Sequence, residues 1–95
     1  MAVDIFLLTK PPKSDRAGLC LRMMERASSA ALYLAGDGVY CLLDDRFAGR
    51  GRIVACREDM EARGVQAESS VLVPEDFYGT LVEAMMEEGA RIYAL

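Results

Sequence analysis

The chain has 95 residues, of which 53% are hydrophobic and 27% charged, and its formal net charge is −4 with no histidine. This length suits one domain and is too short for two independent cores, and the apolar content excludes a disordered chain. No apolar run approaches the roughly 20 residues of a membrane-spanning helix, and the negative charge argues against nucleic acid as the main partner.

The first elements in chain order are a strand, a helix and a second strand. Residues 3–9 form a nearly continuous apolar run, which is typical of a parallel strand buried on both faces. Two prolines break this run, and Ser14 then offers an N-cap for a helix over about 15–28. Residues 30–35 are again apolar and predict a second buried strand.

The segment 39–43 that follows the second strand is ambiguous. The turn Gly36-Asp37-Gly38 lies between two apolar runs, which is typical of a β-hairpin. The same turn is equally typical of a loop at the carboxyl end of a strand, with a short helix after it. The sequence leaves both alternatives open.

The second half of the chain predicts three more strands and two helices, with Gly64 and Pro74 as stop signals and Asp76 as an N-cap. Strands that alternate with helices indicate an α/β fold in a single domain over residues 1–95. We therefore expect a three-layer sandwich, with a mostly parallel sheet of about five strands and helices on both faces. The predicted elements are a strand at 52–55, a helix at 56–63, a strand at 69–73, a helix at about 77–88 and a strand at 91–95.

Cys56 is the leading candidate for a reactive side chain, because it lies at the seam between a buried strand and a helix. Reactive groups of parallel sheets gather at the carboxyl ends of strands, and helix N-terminal amides stabilise a thiolate. We expect the helix N-terminus and Arg57 to lower the pKa of this thiol, while Glu58 and Asp59, if close, would oppose that. The alternative is a small buried residue that only packs.

The other two cysteines are weaker candidates. Cys20 lies on the apolar stripe of the first helix and is the second choice, and Cys41 follows the glycine-rich turn. Packing explains both positions. The cysteine spacings fit no zinc pattern, and no phosphate loop or dinucleotide fingerprint is present, so the sequence predicts no metal and no cofactor.

Several short motifs in a fixed order resemble those of a known family. They read LYLAGDGVY at residues 32–40, IVAC at 53–56, EDMEARGV at 58–65 and DFY at 76–78. In their order and spacing, the chain resembles the DsrE/DsrF/DsrH-like sulfur-relay family over nearly its whole length. Within that family it is most similar to the DsrH branch, which is also known as TusB.

The resemblance implies that the protein passes sulfane sulfur between a donor and an acceptor protein. DsrE-type members carry a persulfide on a cysteine at the end of the third strand, and Cys56 matches that position through its distance to Arg63-Gly64. Arg63 would suit an anionic persulfide, and Asp37 and Gly38 are further candidate binding residues. Within the family, the pathways range from thiolation of transfer RNA to sulfur oxidation.

The same resemblance supports an alternative function. DsrH/TusB members often lack a cysteine at this position and act as non-catalytic subunits of hetero-oligomers with DsrE- and DsrF-like chains. We expect such subunits, or further copies of this chain, as partners, with no direct contact to nucleic acid or membrane. The start MAVD lacks the basic residues and cleavage site of a secretory signal, which predicts a cytoplasmic location.

Overall fold

The computed structural model describes residues 3–95 and shows an α/β fold around a four-stranded sheet. Neighbouring strands pair in parallel, and their order across the sheet is β3-β2-β1-β4. Met1 and Ala2, which belong to the predicted 1–95 domain and to the start used to predict location, lie outside the described residues. The strands are β1 (Asp4–Leu8), β2 (Ala30–Leu34), β3 (Arg52–Ala55) and β4 (Arg91–Ala94).

Three α-helices connect or follow these strands, and the predicted starts of two of them are confirmed by their caps. The Ser14 hydroxyl accepts a hydrogen bond from the Ala17 amide at 3.2 Å, and the Asp76 carboxylate accepts one from the Gly79 amide at 2.9 Å. Within residues 3–95, no helix combines the length and the hydropathy needed to cross a membrane. The helices are α1 (Asp15–Arg26), α2 (Arg57–Arg63) and α3 (Phe77–Met85), so α1 and α3 end before the predicted 28 and 88.

The predicted strand at 69–73 is wrong, because this segment makes only one isolated bridge, between Leu72 and Val54. The Leu72 amide donates to the Ile53 carbonyl at 2.9 Å, and the Leu72 carbonyl accepts from the Ala55 amide at 2.9 Å. A turn precedes this bridge, and Pro74 follows it without an N–H to donate. The ladder therefore stops after one residue, and the sheet has four strands rather than five.

The ambiguous segment after β2 forms a 3-10 helix over Gly36–Leu43, followed by a second one over Asp45–Phe47. A hairpin is impossible here, because β2 already pairs with β1 on one side and β3 on the other. The turn also needs Gly38, since a Cβ at this position would collide with the carbonyl oxygen of Leu8. Gly38 therefore allows the loop after β2 to lie directly against the end of β1.

The buried side chains form two clusters that use alternate residues of the strands, as the side-chain alternation of a strand requires. Along β1, Phe6 and Leu8 belong to one cluster and Ile5 to the other. The first cluster, here called the α1 cluster, takes its helical side chains mainly from α1 and the 3-10 helices. The second, here called the α3 cluster, takes them from α3, through Phe77 and Leu81.

Candidate functional site

Cys56 occupies the position that the sequence predicts, directly after β3 and at the N-cap of α2. Its amide donates to the carbonyl of Leu34 at the end of β2, at 3.0 Å, and its carbonyl accepts from the Met60 amide at 3.0 Å. The first bond continues the pairing with β2, and the second begins the helix. The backbone of Cys56 is thus fixed at the carboxyl end of two neighbouring strands.

The thiol of Cys56 is buried, and its pKa lies above the ordinary value rather than below it. Its residue is 2% exposed, and the sulfur lies 3.6 Å from Oε2 of Glu58. Burial raises the pKa of this thiol; the Asp59 amide opposes the rise, while the side chains of Asp59 and Glu58 add to it. The expected lowering of the pKa is therefore wrong. The guanidinium of Arg57, which was expected to lower this pKa, instead donates to the carbonyl of Val73 at 3.2 Å.

A chain of polar contacts joins α2 to the loop after β2. Oδ2 of Asp59 accepts a hydrogen bond from the Gly36 amide at 2.7 Å, and Oδ1 lies 3.6 Å from Nη1 of Arg63. Nε of Arg63 in turn donates to Oδ1 of Asp37 at 3.0 Å. The structure therefore brings Asp37 and Arg63 together, because the neighbouring strands β2 and β3 end at the same edge of the sheet.

The charge around Cys56 is negative on balance. The charged side chains that act on the Cys56 thiol are the carboxylates of Glu58 and Asp59. The guanidinium of Arg63 contacts Asp59 and Asp37. Arg63, a predicted binding residue, is therefore paired with two carboxylates of the protein itself. Gly38, the third predicted binding residue, lies closely against the end of β1.

The structure does not bring Cys20 or Cys41 to Cys56. Both are fully buried in the α1 cluster, whereas Cys56 belongs to the α3 cluster. Burial raises the pKa of Cys20 to about 11 and that of Cys41 to about 12. Cys20, the second choice, contacts Met24 through the two sulfur atoms at 3.8 Å and packs within the α1 cluster.

Tyr78 is a site residue that the sequence interpretation missed. It lies in the first turn of α3, is 56% exposed, and stacks edge-on against Phe77 with ring centroids 5.0 Å apart. Burial raises the pKa of its phenol, and so do the charges of Asp59, Cys56 and Glu58, which places the phenol in the same electrostatic environment as the thiol. The sequence feature that could have indicated Tyr78 is the aromatic pair Phe77-Tyr78 directly after the Asp76 cap. Phe77 is buried in the core and Tyr78 is exposed.

A cavity of about 210 Å³ opens away from Cys56, at the amino ends of the strands. Its lining includes none of the three cysteines. Within residues 3–95, no group of three or more histidine, cysteine, aspartate or glutamate side chains is arranged to hold a metal ion. The side chains that line the cavity include Ser29, Tyr33, Arg52 and Glu87.

Comparison with known proteins adds no assignment: no protein-family model matches the chain, and no curated protein matches it significantly.

Proposed function

We propose that this protein is a sulfur carrier of the DsrE/DsrF/DsrH-like family, nearest the DsrH/TusB branch and with the three-layer sandwich of that family, and that Cys56 holds the sulfane sulfur. The observation that carries the proposal is the position of Cys56 at the carboxyl end of β3, with its thiol beside the carboxylate of Glu58. This arrangement provides a sulfur nucleophile and a proton acceptor at the edge of the sheet where loops from two strands meet.

The proposed step transfers one sulfur atom without an external oxidant or reductant. Glu58 takes the proton of the Cys56 thiol, and the resulting thiolate attacks the outer sulfur of a persulfide on a donor protein. A sulfur–sulfur bond forms on Cys56, the corresponding bond of the donor breaks, and the donor leaves as a thiolate that takes up the proton. Delivery to an acceptor thiolate is the same exchange, with Cys56 as the leaving group.

The negative surroundings of Cys56 suit a carrier more than a storage site. A persulfide is a stronger acid than a thiol, so the loaded group is anionic next to Glu58 and Asp59. Repulsion between like charges raises the free energy of the loaded state and favours its delivery to an acceptor. In the unloaded state the same carboxylates keep the thiol neutral, which slows adventitious oxidation and alkylation.

The proposal is tested by loading the purified protein with glutathione persulfide and measuring its intact mass. The wild-type chain is expected to gain one sulfur atom, and Cys56→Ala is expected to gain none. The matched variants Cys20→Ala and Cys41→Ala remove the other two buried thiols and should load like the wild type. Loading that persists in Cys56→Ala, in a variant that keeps the wild-type circular dichroism, would overturn the proposal.

A second candidate function is that of a non-catalytic subunit in a DsrEFH/TusBCD-like hetero-oligomer, and the burial and raised pKa of Cys56 favour it. Its test is sulfur transfer through a complex reconstituted with DsrE- and DsrF-like chains. If Cys56 is inert, Cys56→Ala in this chain leaves transfer through the complex unchanged. If Cys56 carries sulfur, the same complex assembles but transfer falls.

A further inference from the structure

Helix α3 presents an apolar surface to the solvent. Four large side chains, here called the α3 face, recur at helical spacing along its outer side and are between 42% and 80% exposed. Residues three and four apart lie next to one another on a helix, so these side chains form one continuous strip. A strip of this kind on a small protein is typical of an interaction surface. The α3 face consists of Tyr78, Val82, Met85 and Met86.

The margin of the α3 face is acidic. Glu83, Glu87 and Glu88 follow the same segment and are exposed. None of them forms a salt bridge within the described part of the chain. A surface that pairs with the α3 face must therefore combine apolar side chains with basic ones.

The outer side of helix α1 has this composition. Leu19 is exposed and Met23 half-buried, and Arg16, Arg22 and Arg26 are exposed around them. Among residues 3–95, none of these three arginines forms a salt bridge, whereas Arg50 and Arg63 both do. The side chains of Leu19, Arg22, Met23 and Arg26 line one shallow depression on the helix. The α1 face consists of Leu19 and Met23 together with Arg16, Arg22 and Arg26.

We propose that the α3 face of one copy of this protein docks on the α1 face of a second copy. The apolar strips would then be buried against each other, with the glutamates of one copy beside the arginines of the next. Pairing of two α3 faces would bring acidic margins together, and pairing of two α1 faces would bring arginines together, so charge disfavours both symmetric alternatives. The inference does not depend on the proposed sulfur chemistry.

The contact has to be made between copies and in a head-to-tail manner. Helix α1 packs on one core cluster and α3 on the other, so one chain cannot bring its own two faces together. A head-to-tail contact leaves one unused face at each end of a pair, and further copies extend it into a ring or a chain. We therefore expect assembly to depend on protein concentration and to weaken as salt screens the charges.

Sedimentation velocity over a concentration series tests this proposal with two variants. Val82→Glu with Met86→Glu damages the α3 face, and Arg22→Glu with Arg26→Glu damages the α1 face; all four positions are at the surface. Each double variant is expected to raise the dissociation constant about 30-fold or more, as the loss of an interface hot spot does. The variant Leu43→Glu is the matched control, since Leu43 is apolar, 67% exposed and outside both faces.

Mixing the two double variants distinguishes a head-to-tail contact from a symmetric one. Each variant alone is expected to be monomeric, but each keeps one intact face, so the mixture should form a one-to-one dimer and nothing larger. The damaged faces are both acidic and cannot pair. A wild-type protein that stays monomeric at its highest soluble concentration would overturn the proposal. So would a mixture that stays monomeric, or one double variant that still assembles alone.

Discussion

The carboxylate of Glu58 has two opposing effects on the Cys56 thiol. It accepts a hydrogen bond from the thiol, which contributes to the raised pKa and keeps the thiolate population small. In the proposed mechanism it also receives the proton when the sulfur attacks a donor. Removing the carboxylate therefore separates simple thiol reactivity from sulfur uptake.

Glu58→Gln is expected to make Cys56 more reactive toward iodoacetamide at neutral pH and less able to take up sulfur. Alkylation should rise roughly severalfold, because one group that raises the pKa has been removed. Uptake from glutathione persulfide should fall by about 100-fold, the usual contribution of a general base. Stopped-flow and mass-spectrometric rates against pH measure both. Glu61→Gln, on an exposed position of the same helix, is the control.

If Glu58→Gln accelerates both reactions together, Glu58 only suppresses the reactivity of the thiol and is no proton acceptor.

The pH profile of alkylation gives an independent check on the raised pKa of Cys56. Because the pKa of Cys56 lies above its ordinary value of 9.0, the alkylation rate of the wild-type protein should still be rising with pH at pH 9. A plateau near neutral pH would contradict the raised pKa of Cys56.

At the scale of the elements, Asp59 connects α2 to the loop after β2 through two separable contacts. Its carboxylate accepts from the Gly36 amide, and it pairs with Arg63. Asp59→Asn keeps an acceptor for the amide and loses only the ion pair, so we expect a cost below about 1 kcal/mol. Asp59→Ala leaves the amide without its partner and should cost about 2 kcal/mol. Urea denaturation measures both, and equal costs would contradict this assignment.

Gly38 and Gly18 are expected to respond to alanine in opposite directions. A methyl group at Gly38 would meet the Leu8 carbonyl oxygen, so Gly38→Ala should cost about 2 kcal/mol or more as the loop moves away from β1. Gly18 lies within α1 with space around it, and Gly18→Ala should stabilise the protein by about 0.5 kcal/mol through helix propensity. Thermal unfolding compares the two. A neutral Gly38→Ala would mean that the close approach is not required.

The elements could be predicted from the sequence where local chemistry determines them. Ser14 and Asp76 cap their helices with side-chain oxygens, and Gly64 ends α2 in the left-handed conformation. The conformations of two other segments, residues 39–43 and 69–73, were determined by the strands beside them and not by their own sequences. Residues 39–43 could not form a hairpin with β2, because β2 pairs with a strand on each side. Residues 69–73 form only one isolated bridge to β3, between Leu72 and Val54. Neither outcome is encoded in the periodicity of the segment itself.

At the scale of the whole molecule, strand order decided which site residues meet. The sequence predicted Cys56 at the end of a strand, but only the adjacency of β2 and β3 brings Asp37 to Arg63. The raised pKa of the thiol was also unpredictable. It follows first from the burial of the thiol and then from the nearby carboxylates of Asp59 and Glu58, while Arg57 points away toward Val73. The residue types determine neither the burial nor these directions.

The buried cysteines of the α1 cluster make a prediction for the stability of the whole fold. The native pKa values of Cys20 and Cys41, about 11 and about 12, lie above the ordinary 9.0. The unfolded chain therefore releases protons that the native state keeps, and this contribution to stability is complete below pH 9. It is lost as the pH rises through the native values, with Cys20 accounting for about 3 kcal/mol.

The measurement is urea denaturation at several pH values between neutral and alkaline conditions. Cys20→Ala should be less stable than the wild type at neutral pH, because a small cavity remains, but its stability should fall less steeply above pH 9. The same urea titration of Cys56→Ala shows the effect of removing a thiol from the α3 cluster instead. Parallel curves for the wild type and Cys20→Ala would show that this thiol does not titrate differently in the folded and unfolded states.

Locating the transferred atom in the wild-type chain shows whether Cys56 carries the sulfur. The protein is incubated with glutathione persulfide, alkylated and digested, and each cysteine peptide is examined by mass spectrometry for one additional sulfur. Our expectation is an additional sulfur on the peptide that contains Cys56 and on neither of the peptides that contain Cys20 and Cys41, which lie in the α1 cluster. Sulfur on Cys20 or Cys41 alone, or on no cysteine of the folded protein, would contradict it.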